Sequence, residues 1–541
     1  MTYDCIVVGG GHNGLVCAAY LAQGGRRVLV LERSEQVGGA AVTNEIAPGY
    51  RASTASYLVS LLLPEIERDL DLRRHGYAVL PRSPSSFTPL PGGGPGHYLM
   101  LGPDAAFNRE QIGRFSERDA EAYPRYEAWL TRVAETLEPV LESLAPDLLP
   151  LPPGIRRYAW RDRLANLGRA LRLRRALRRL GADLPAALEL LMGPARPILD
   201  RWFESEALKA TLATDSIIGA AAAPSSPGTG YVLLHHVMGT AGGARGVWGY
   251  VRGGMGALTA AMRAAAESAG VEVRTRAEVA GIRVAGARVQ GVRLRDGTQI
   301  DARCVISNAT PQRTFVELLG ADTLPAAFRA AVERIDYGSA SMKINLAVSE
   351  LPDFRCCPGH DSPGPQHRGT IHISPSVDYI EAAYADSLLG RPSREPVIEL
   401  TIPSALDPTL APPGHHIVQM FVQYAPYRLR DQDWDALGGA FAQRCIDAVD
   451  AYAPNFRASV LHREVLTPLD LERRFGLTGG NIFHGAMPLH QLFGFRPVPG
   501  WSDHRTPVAG LYLCGAGAHP GGGVSGAPGR NAARVVLSDW R

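Results

Sequence analysis

The sequence predicts an α/β protein with two domains, one of them of the Rossmann type. The chain begins with a strand, a glycine turn, a helix and a second strand; its middle holds a helix, a strand and an antiparallel meander; its end holds another glycine-rich strand and helix. A length of 541 residues exceeds what one hydrophobic core usually holds. We expect residues 1–75, 245–310 and 470–541 to form one discontinuous domain. The intervening residues 76–244 and 311–469 then form a second, α+β domain.

The first unit is the stretch DCIVVGGGHNGLVCAAYLAQGGRRVLVLER. Cys5–Val8 is short, apolar and β-branched, which predicts a buried parallel strand. A G-x-G-x-x-G turn opens the following helix, and its glycines are Gly9, Gly11 and Gly14. In that order they permit a tight turn, the approach of a pyrophosphate and close packing of the helix on the strand. Val28–Leu31 predicts the second strand, and Glu32 at its end can accept hydrogen bonds from ribose hydroxyls, which argues against the 2′-phosphate of NADP.

A second glycine turn follows this unit. In the stretch SEQVGGAAV, Gly38 and Gly39 lie just beyond the second predicted strand. A domain that binds only NAD has no need of a glycine turn at this point, whereas the longer FAD molecule passes from its ribose and pyrophosphate towards its isoalloxazine ring. The two glycines therefore favour FAD, with an ordinary turn as the alternative.

The middle segment supplies another helix and strand but no second dinucleotide site. Gly253, Gly254 and Gly256 precede a clear helix, which is followed by a predicted strand at Val271–Arg274. Apolar–polar alternation through a D-G turn then predicts an antiparallel meander that ends in a buried strand at Val305–Ile306. No strand in this segment is followed by G-x-G-x-x-G, so the sequence predicts one bound dinucleotide.

The last segment, GLYLCGAGAHPGGGVSGAPGRNAARVVL, decides which dinucleotide is expected. Leu511–Cys514 predicts a buried strand, Gly515–Gly517 a glycine turn, and the small residues from about Ser525 onward the start of a helix. In flavoproteins such a strand covers the pyrophosphate. The following helix directs its positive N-terminus at the flavin, where it stabilises negative charge on the reduced form. An NAD dehydrogenase does not need this arrangement, so we predict FAD.

A basic amphipathic helix is predicted near residues 156–180. This stretch holds ten arginines and a single acid, Asp162. Its leucines recur at helical spacing: Leu164, Leu167, Leu171, Leu177 and Leu180. Two interpretations follow. Either the leucines pack on the core while the arginines face water, or the helix rests on anionic lipid, where an enzyme can collect an apolar substrate.

Composition argues against several classes of protein. The net charge of +3 and the lack of a basic and aromatic motif argue against nucleic acid as a partner. Seven cysteines without CxxC spacing indicate no disulfide framework, and no His, Cys or carboxylate cluster has metal-ligand spacing. No apolar run approaches 18 residues. We expect a cytoplasmic protein without a resident metal, which contacts the inner face of the membrane peripherally if the basic helix binds lipid. The oligomeric state is left open.

Six stretches carry a resemblance to a known family. They are the N-terminal motif, GGMGALTAAM, VISNATP, MKINLAVSELPDF, GGNIFHGAMPLHQL and LYLCGAGAHPGGGVSGAPGRNAA, which together extend from one end of the chain to the other. The chain resembles the phytoene desaturase-related FAD oxidoreductases, which are close in architecture to monoamine oxidase. Within that branch it is most similar to the family of pyridine nucleotide-disulfide oxidoreductase domain-containing protein 2. The resemblance to bacterial β-carotene ketolases and retinol saturases is more distant.

The resemblance implies a glutathione-reductase-like FAD domain beneath a substrate domain, and functions for individual residues. Lys343, in YGSASMKINLAV, is similar in position to the flavin-facing lysine of monoamine oxidase, which holds a water near the flavin and assists reoxidation by oxygen, although the preceding turn is one residue longer. The alternative is a strand-edge lysine that faces solvent. His484 and His519 are candidate acids or bases, or structural histidines. The residues implied to touch FAD are Gly9, Gly11, Gly14, Glu32, Gly38, Gly39, Val279, Gly515, Gly523 and Val524.

The expected reaction is transfer of a hydride from a substrate C–H bond to flavin N5, which forms a C=C or C=N bond. By resemblance, the substrate is small, apolar and isoprenoid- or carotenoid-like, and the electrons pass on to oxygen or a quinone. One alternative is an amine oxidase-type enzyme that forms an imine, which Lys343 favours. Phytoene desaturases generally lack this lysine, so its presence favours an oxidase or a ketolase. The other alternative is a flavoprotein whose main role is interaction or regulation.

Overall fold

The computed structural model describes residues 3–148, 160–241 and 244–540, so residues 156–159 of the predicted basic helix lie outside it. Its strands are β1 (Tyr3–Val8), β2 (Val28–Leu31), β3 (Thr43–Ala47), β4 (Tyr50–Ser53), β5 (Val79–Pro81), β6 (Ser86–Pro89), β7 (Tyr98–Leu101), β8 (Thr240–Ala241), β9 (Ala244–Arg245), β10 (Gly249–Val251), β11 (Glu272–Arg274), β12 (Val279–Ala285), β13 (Arg288–Leu294), β14 (Gln299–Ser307), β15 (Ser341–Val348), β16 (Thr370–Ile373), β17 (Val397–Thr401), β18 (His416–Gln423), β19 (Val460–Leu466) and β20 (Leu511–Leu513). Its α-helices are α1 (His12–Gln23), α2 (Pro64–Asp69), α3 (Ala105–Gly113), α4 (Glu117–Leu141), α5 (Trp160–Arg179), α6 (Leu184–Met192), α7 (Ala195–Trp202), α8 (Glu206–Thr214), α9 (Thr229–Val237), α10 (Met255–Ser268), α11 (Ala326–Glu333), α12 (Val377–Leu388), α13 (Trp434–Asp450), α14 (Phe456–Ser459), α15 (Pro468–Phe475) and α16 (Ala527–Asp539).

A seven-stranded sheet contains strands from both ends of the chain and from its middle. Its strand order is β11–β2–β1–β14–β13–β12, and β20 pairs with the C-terminal part of β14. Strands β11, β2, β1, β14 and β20 are parallel, whereas β12, β13 and β14 form an antiparallel meander. The central strands β1 and β2 are almost wholly buried, as expected for parallel strands covered on both faces.

Helices α1, α10 and α16 cover one face of this sheet and share a buried core with β1 and β2. Helix α1 begins directly after β1, with Gly11 as its N-cap, so its N-terminus lies at the carboxyl ends of the parallel strands. The backbone N–H of Asn308 donates to the carbonyl oxygen of Val8 (2.8 Å), which places the turn after β14 beside the turn after β1. In open α/β sheets this edge is where ligands bind.

A second seven-stranded sheet has the order β19–β15–β18–β17–β16–β6–β7. Neighbouring strands are antiparallel, except that β16 and β6 run parallel. Met342, Ile344 and Leu346 of β15 pack into the core that this sheet forms with α13. Because side chains alternate along a strand, Lys343 and Asn345 are directed to the opposite face.

Helices α3, α4 and α6–α9 form a further buried core around α4, and α5 packs along α4. Of the leucines in the predicted basic helix, Leu177 and Leu180 pack on this core, whereas Leu164, Leu167 and Leu171 are exposed. One of the two interpretations expected all five leucines to pack on the core. The structure shows this packing only for Leu177 and Leu180. None of the described helices is both long enough and apolar enough to cross a membrane.

The predicted fold class is confirmed. A parallel sheet with a strand–glycine turn–helix unit at its centre and an antiparallel meander at its side is joined to a second, largely antiparallel sheet with its own helices. The residue boundaries between the two domains stay a prediction.

Candidate functional site

One large cavity lies where the two sheets meet. Its volume is about 1080 Å³, just above the usual range of about 300–1,000 Å³ for pockets that bind small molecules and cofactors. The turn after β1 and the end of β2 lie at one end, and β15, β16, β17, β18 and α4 lie at the other. A ligand that fills the cavity therefore contacts both sheets.

The turn after β1, residues 9–14, forms a glycine cradle. Gly9 has a φ of 97°, which a residue with a side chain rarely adopts. A Cβ on Gly14 would lie 2.2 Å from the carbonyl oxygen of Gly9, so α1 approaches the turn to a distance that only glycine allows. Among the described residues no side chain caps α1, and its first N–H groups are available to an anion such as a pyrophosphate.

Glu32 closes the glycine cradle from the end of β2. Its Oε2 accepts a hydrogen bond from the N–H of Gly10 (2.7 Å), and its Oε1 accepts one from the N–H of Ser34 (2.9 Å). Each carboxylate oxygen can accept a further hydrogen bond, and the side chain lines the cavity. Glu32 therefore holds the cradle in shape and keeps capacity for the predicted contact with a ribose hydroxyl.

The second glycine turn and the last glycine-rich segment complete this end of the cavity. The N–H of Gly38 donates to the carbonyl oxygen of Gly10 (2.8 Å), which packs the second turn on the cradle. A Cβ on Gly515 would lie 2.7 Å from the carbonyl oxygen of Asn308, so glycine allows the chain after β20 to approach the turn after β14. Gly523, with a φ of 102°, faces the cavity.

Most of the residues predicted to touch FAD line this one cavity: Gly9, Gly11, Glu32, Gly38, Gly39, Val279, Gly523 and Val524. Gly14 and Gly515 lie behind the lining and permit close packing instead. Asn308 was not predicted as a site residue, but its Nδ2 donates to the carbonyl oxygen of Gly9 (3.3 Å) and it also lines the cavity. Its position in a Ser-Asn turn directly after a buried strand was the available signal.

The cavity holds buried polar groups that the chain itself does not satisfy. Within the described ranges, several lining side chains have a buried nitrogen or oxygen without a hydrogen-bond partner in the protein: His12, Asn13, Ser60, His235, Ser341 and His484. Such atoms are costly unless a ligand or water satisfies them. The unsatisfied groups, the glycine cradle, the uncapped helix and Glu32 fit a bound FAD.

The second sheet directs a row of side chains into the cavity. Lys343 on β15 lies opposite Phe421 on β18. Phe421 lies opposite Glu399 on β17, which in turn lies opposite His372 on β16. Directly opposite residues of neighbouring strands share a face of the sheet, and all four line the cavity. This Lys343 row brings together an amine, a carboxyl group and an imidazole that are far apart in sequence.

Lys343 is buried in this row, so the alternative of a lysine that faces solvent is wrong. The residue is 2% exposed; its Nζ donates to Asn345 Oδ1 (2.8 Å) and lies 4.9 Å from the centroid of the Tyr57 ring. Burial lowers the pKa of Lys343 to about 7, and the carboxylate of Glu464 opposes this effect only in part. The amine can therefore gain or lose a proton within the cavity near neutral pH.

Two buried carboxyl groups lie at the same end of the cavity. Glu399 accepts a hydrogen bond from the Tyr57 hydroxyl (2.9 Å), and burial, with the charge of Asp215, raises the pKa of Glu399 to about 8. Burial raises the pKa of Asp215 to about 7, an effect that the charge of Arg82 opposes. The pKa values of both acids are therefore close to neutral pH, so a charged ligand can shift the protonation of either group.

The two predicted catalytic histidines have different surroundings. His484 lines the cavity, and burial lowers its pKa to about 3, so its imidazole is neutral at pH 7. His519 lies outside the cavity lining, with its Nε2 2.8 Å from the carbonyl oxygen of Ser143, just beyond α4. The structure therefore brings Lys343 and His484 to one cavity and gives His519 a structural contact elsewhere. A catalytic function of either histidine stays a prediction.

Several cavity residues were not found from the sequence. Glu399 and His372 each interrupt an apolar run, VIELT and TIHI, which is the same signal that singles out Lys343 in its strand. No comparable local signal marks Asp215 or Arg82, because neither lies within a strand or helix of apolar pattern. Their position in the cavity depends on the tertiary fold.

Comparison with known proteins gives four relationships. Residues 4–329 match the FAD dependent oxidoreductase (DAO) family. Over its full length the chain is 49% identical to pyridine nucleotide-disulfide oxidoreductase domain-containing protein 2 of Rattus norvegicus, of which it covers 94%. It is 26% identical to phytoene desaturase (lycopene-forming) of Pseudescherichia vulneris, over 99% of both chains. Among solved structures it is similar in fold to cyclohexylamine oxidase from Brevibacterium oxydans IH-35A, with a TM-score of 0.55 and 14% identity over 100% of both chains.

Proposed function

Because the chain belongs to the FAD-dependent oxidoreductases, and among them to the family of pyridine nucleotide-disulfide oxidoreductase domain-containing protein 2, we propose that it removes a hydride from a C–H bond of a small substrate. When bound, FAD supplies the hydride acceptor. The observation that carries the proposal is the continuity of the cavity: the glycine cradle and the Lys343 row line one space. A cofactor in the cradle and a substrate beside the row therefore share that space.

The first candidate substrate is apolar and of isoprenoid or carotenoid type. Apolar and aromatic side chains line the cavity near the Lys343 row, several of them from α4, α8 and α9: Tyr123, Tyr126, Leu130, Leu212 and Leu233. Such walls bind a substrate by burying its apolar surface. The name of the phytoene desaturase relative supports the same class. Oxygen or a quinone is the proposed final electron acceptor.

We call the part of the cavity beside the Lys343 row the chamber. Its residues then orient the substrate and supply a proton-transfer group. Tyr57 and Phe421 stack with their ring centroids 6.0 Å apart and form an aromatic wall, which limits the orientations of a bound substrate. Lys343, between Tyr57 and Asn345, can take up or release a proton at Nζ. Its burial keeps that proton away from bulk water.

An amine is the second candidate substrate, favoured by Asp215 and Glu399. The carboxylate forms of these two acids attract an ammonium group, and a bound cation would lower both pKa values. Lys343, close to its own pKa, can accept the proton that a substrate ammonium must lose before its C–H bond is oxidised. The product in this case is an imine. A flavoprotein with mainly an interaction or regulatory role is the weaker alternative, because such a role does not need a chamber beside the glycine cradle.

An anaerobic titration tests these proposals. The FAD-loaded protein is mixed with members of three classes, carotenoids, retinoids and amines, while the flavin absorbance is followed; air is then admitted. We expect one class to bleach the flavin bands, and the rate of recovery in air tests oxygen as acceptor. If only dithionite bleaches the protein, the interaction role gains support. Protein that neither carries nor takes up FAD contradicts the proposal as a whole.

A variant separates the two substrate classes. Glu399→Gln retains the volume of the side chain but cannot form the carboxylate that a bound ammonium group would stabilise. It should therefore slow bleaching by an amine by about tenfold or more and leave bleaching by a hydrocarbon within about threefold of wild type. Glu333→Gln, at an exposed position of α11, is the matched control and should change neither rate. Equal effects of Glu399→Gln on both classes would argue against recognition of an ammonium group.

A further inference from the structure

Helix α5 has two apolar faces. The face towards the protein includes Ala176, which is buried, and Leu177, which packs on the core around α4. The other face carries four large apolar side chains that are between 42% and 67% exposed, and we call them the α5 stripe: Trp160, Leu164, Leu167 and Leu171. At about 100° per residue, the stripe covers an arc of about 60° on the side of the helix away from Ala176 and Leu177. It therefore points away from the protein.

Side-chain contacts fix the rotation of α5 about its axis. The amide of Asn166 accepts from the N–H of Asp147 and donates to its carbonyl oxygen, both at 2.7 Å. Asp162 lies 3.6 Å from a guanidinium nitrogen of Arg505, on the side of the helix towards the protein. Because these contacts involve the inner face, the α5 stripe is held towards solvent.

The stripe is bordered by positive charge. The exposed arginines of the helix are Arg163, Arg172, Arg174, Arg175, Arg178 and Arg179. Asp162 is the only acidic residue between positions 160 and 180, and it is engaged on the inner face. The outer side of α5 therefore combines a continuous apolar stripe with basic flanks and has no negative charge of its own.

We propose that this outer side docks on an anionic phospholipid membrane, with α5 parallel to the membrane plane. The α5 stripe enters the boundary between headgroups and acyl chains, while the flanking arginines contact lipid phosphates. Trp160, at one end of the stripe, is a residue type that favours this boundary. A membrane then complements both features of this surface, because the exposed apolar area is removed from water and the positive charge of the arginines is neutralised.

Two other possible occupants of this surface would complement only the apolar stripe or only the arginines. A second copy of this chain would cover the apolar stripe but would bring two sets of arginines together without an acid between them, and like charges repel. A nucleic acid would neutralise the arginines through its phosphates, yet it would leave the leucines without a partner. Phospholipid is the occupant that complements both the stripe and its flanks.

The test is vesicle flotation of the full-length, FAD-loaded protein. We expect it to float with vesicles that contain about 30% phosphatidylserine at about 0.05 M salt, and to remain behind with phosphatidylcholine alone. Two double variants divide the surface: Leu164→Ser with Leu167→Ser removes apolar area, and Arg174→Glu with Arg175→Glu reverses charge. Each should lower the bound-to-free ratio by about tenfold or more. The flavin absorbance should be unchanged, because all four positions are exposed.

The matched control is Leu388→Ser with Leu461→Ser, which removes two leucines that are 68% and 55% exposed outside α5. It should float like the wild type.

The proposal is wrong if the wild type does not float with anionic vesicles, or if Leu164→Ser with Leu167→Ser floats as well as the wild type. Salt-sensitive binding to single-stranded RNA that is indifferent to the leucines would indicate a polyanion surface instead. A dimer that the leucine variant dissociates, without flotation, would identify a second copy as the occupant.

Discussion

The Nζ of Lys343 lies 4.9 Å from the centroid of the Tyr57 ring, and the two residues form a cation–aromatic pair inside the cavity. The Tyr57 hydroxyl donates to Glu399, so one ring connects an amine with a pKa of about 7 to an acid with a pKa of about 8. Burial moves both pKa values towards neutrality from opposite directions. The charge of the chamber therefore changes within the physiological pH range.

Replacement of Lys343 by methionine should slow reoxidation of the reduced protein by oxygen. The variant keeps an unbranched side chain but removes the amine, and the loss of a proton-transfer group typically costs about 10²-fold or more in rate. We also expect the wild-type rate to change with pH around 7 and the variant rate to lose this dependence. Stopped-flow mixing of the reduced protein with oxygenated buffer measures both rates.

Lys209→Met is the control for this experiment, because the chain has only these two lysines. Lys209 lies on α8 and pairs with Asp200 (2.9 Å), and it does not line the cavity. Its replacement should leave the reoxidation rate and its pH dependence unchanged. If Lys343→Met reoxidises as fast as Lys209→Met, Lys343 does not assist reoxidation.

Asp215 should make the folded protein less stable as the pH rises from about 4 to 7. Burial raises its pKa from an ordinary value of 3.8 to about 7, so in this window the folded protein keeps a proton that the unfolded chain has lost. The unfolded state therefore gains relative stability with pH, by on the order of 4 kcal/mol across the window. Lys343 acts in the opposite sense from about pH 7 to 10.5, where only the unfolded chain keeps the proton.

Asp215→Asn should flatten the decrease between pH 4 and 7. Urea unfolding at several pH values in saturating FAD measures the free energy of unfolding for both proteins. The control, Asp322→Asn, changes an exposed carboxyl group and should retain the wild-type slope. A wild-type slope in Asp215→Asn would mean that this carboxyl group has an ordinary pKa in the folded protein.

The glycine cradle could be predicted from the sequence, whereas the Lys343 row could not. The strand, turn, helix and acid of the cradle lie within about 30 residues, so their spacing alone carries the geometry. Lys343, Glu399 and His372 become neighbours only through the order and register of β15, β18, β17 and β16. Local pattern shows that each of these residues interrupts an apolar run, but it does not show which strands pair.

Helix α5 illustrates a similar limit. Its leucines have helical spacing, and this predicts an apolar face, but the spacing does not tell whether anything covers that face. The structure covers Leu177 and leaves Leu164 and Leu167 exposed. His519 was expected in the active site because it lies in the last glycine-rich segment. In the structure Gly523 lines the cavity, whereas His519 contacts Ser143.

Gly14→Ala should largely abolish FAD binding. Its new Cβ would lie 2.2 Å from the carbonyl oxygen of Gly9, a distance that forces α1 away from the glycine cradle. We expect less than about a tenth of the wild-type flavin content after purification, because the cradle and the helix N-terminus must be aligned to bind a pyrophosphate. Flavin absorbance relative to protein absorbance measures this content.

Gly439→Ala is the matched control for that change. Gly439 lies in α13, and a Cβ there would meet nothing within 4 Å. Alanine in an exposed helix position should stabilise the protein by about 0.5–1 kcal/mol and leave its flavin content unchanged. Full flavin content in Gly14→Ala would show that the cradle tolerates a side chain at that position.

Glu32→Gln should weaken FAD binding by about 10- to 100-fold without preventing it. The two oxygens of Glu32 accept hydrogen bonds from the N–H groups of Gly10 and Ser34, and an amide replaces one of these oxygens by an NH₂ group that faces a donor. A hydrogen bond to a charged group contributes about 1.5–3 kcal/mol, which sets the expected range. Titration of the apoprotein with FAD measures the dissociation constant.

Glu267→Gln, in the last turn of α10, separates this effect from a general loss of negative charge. Glu267 is exposed, lies outside the cavity lining and pairs with Arg263 (2.8 Å), and such surface pairs contribute little. Its affinity for FAD should stay close to that of the wild type. If Glu32→Gln also binds FAD as tightly as the wild type, the carboxylate is not needed to hold the turn at Gly10. The glycines and the uncapped N-terminus of α1 would then suffice for the cradle.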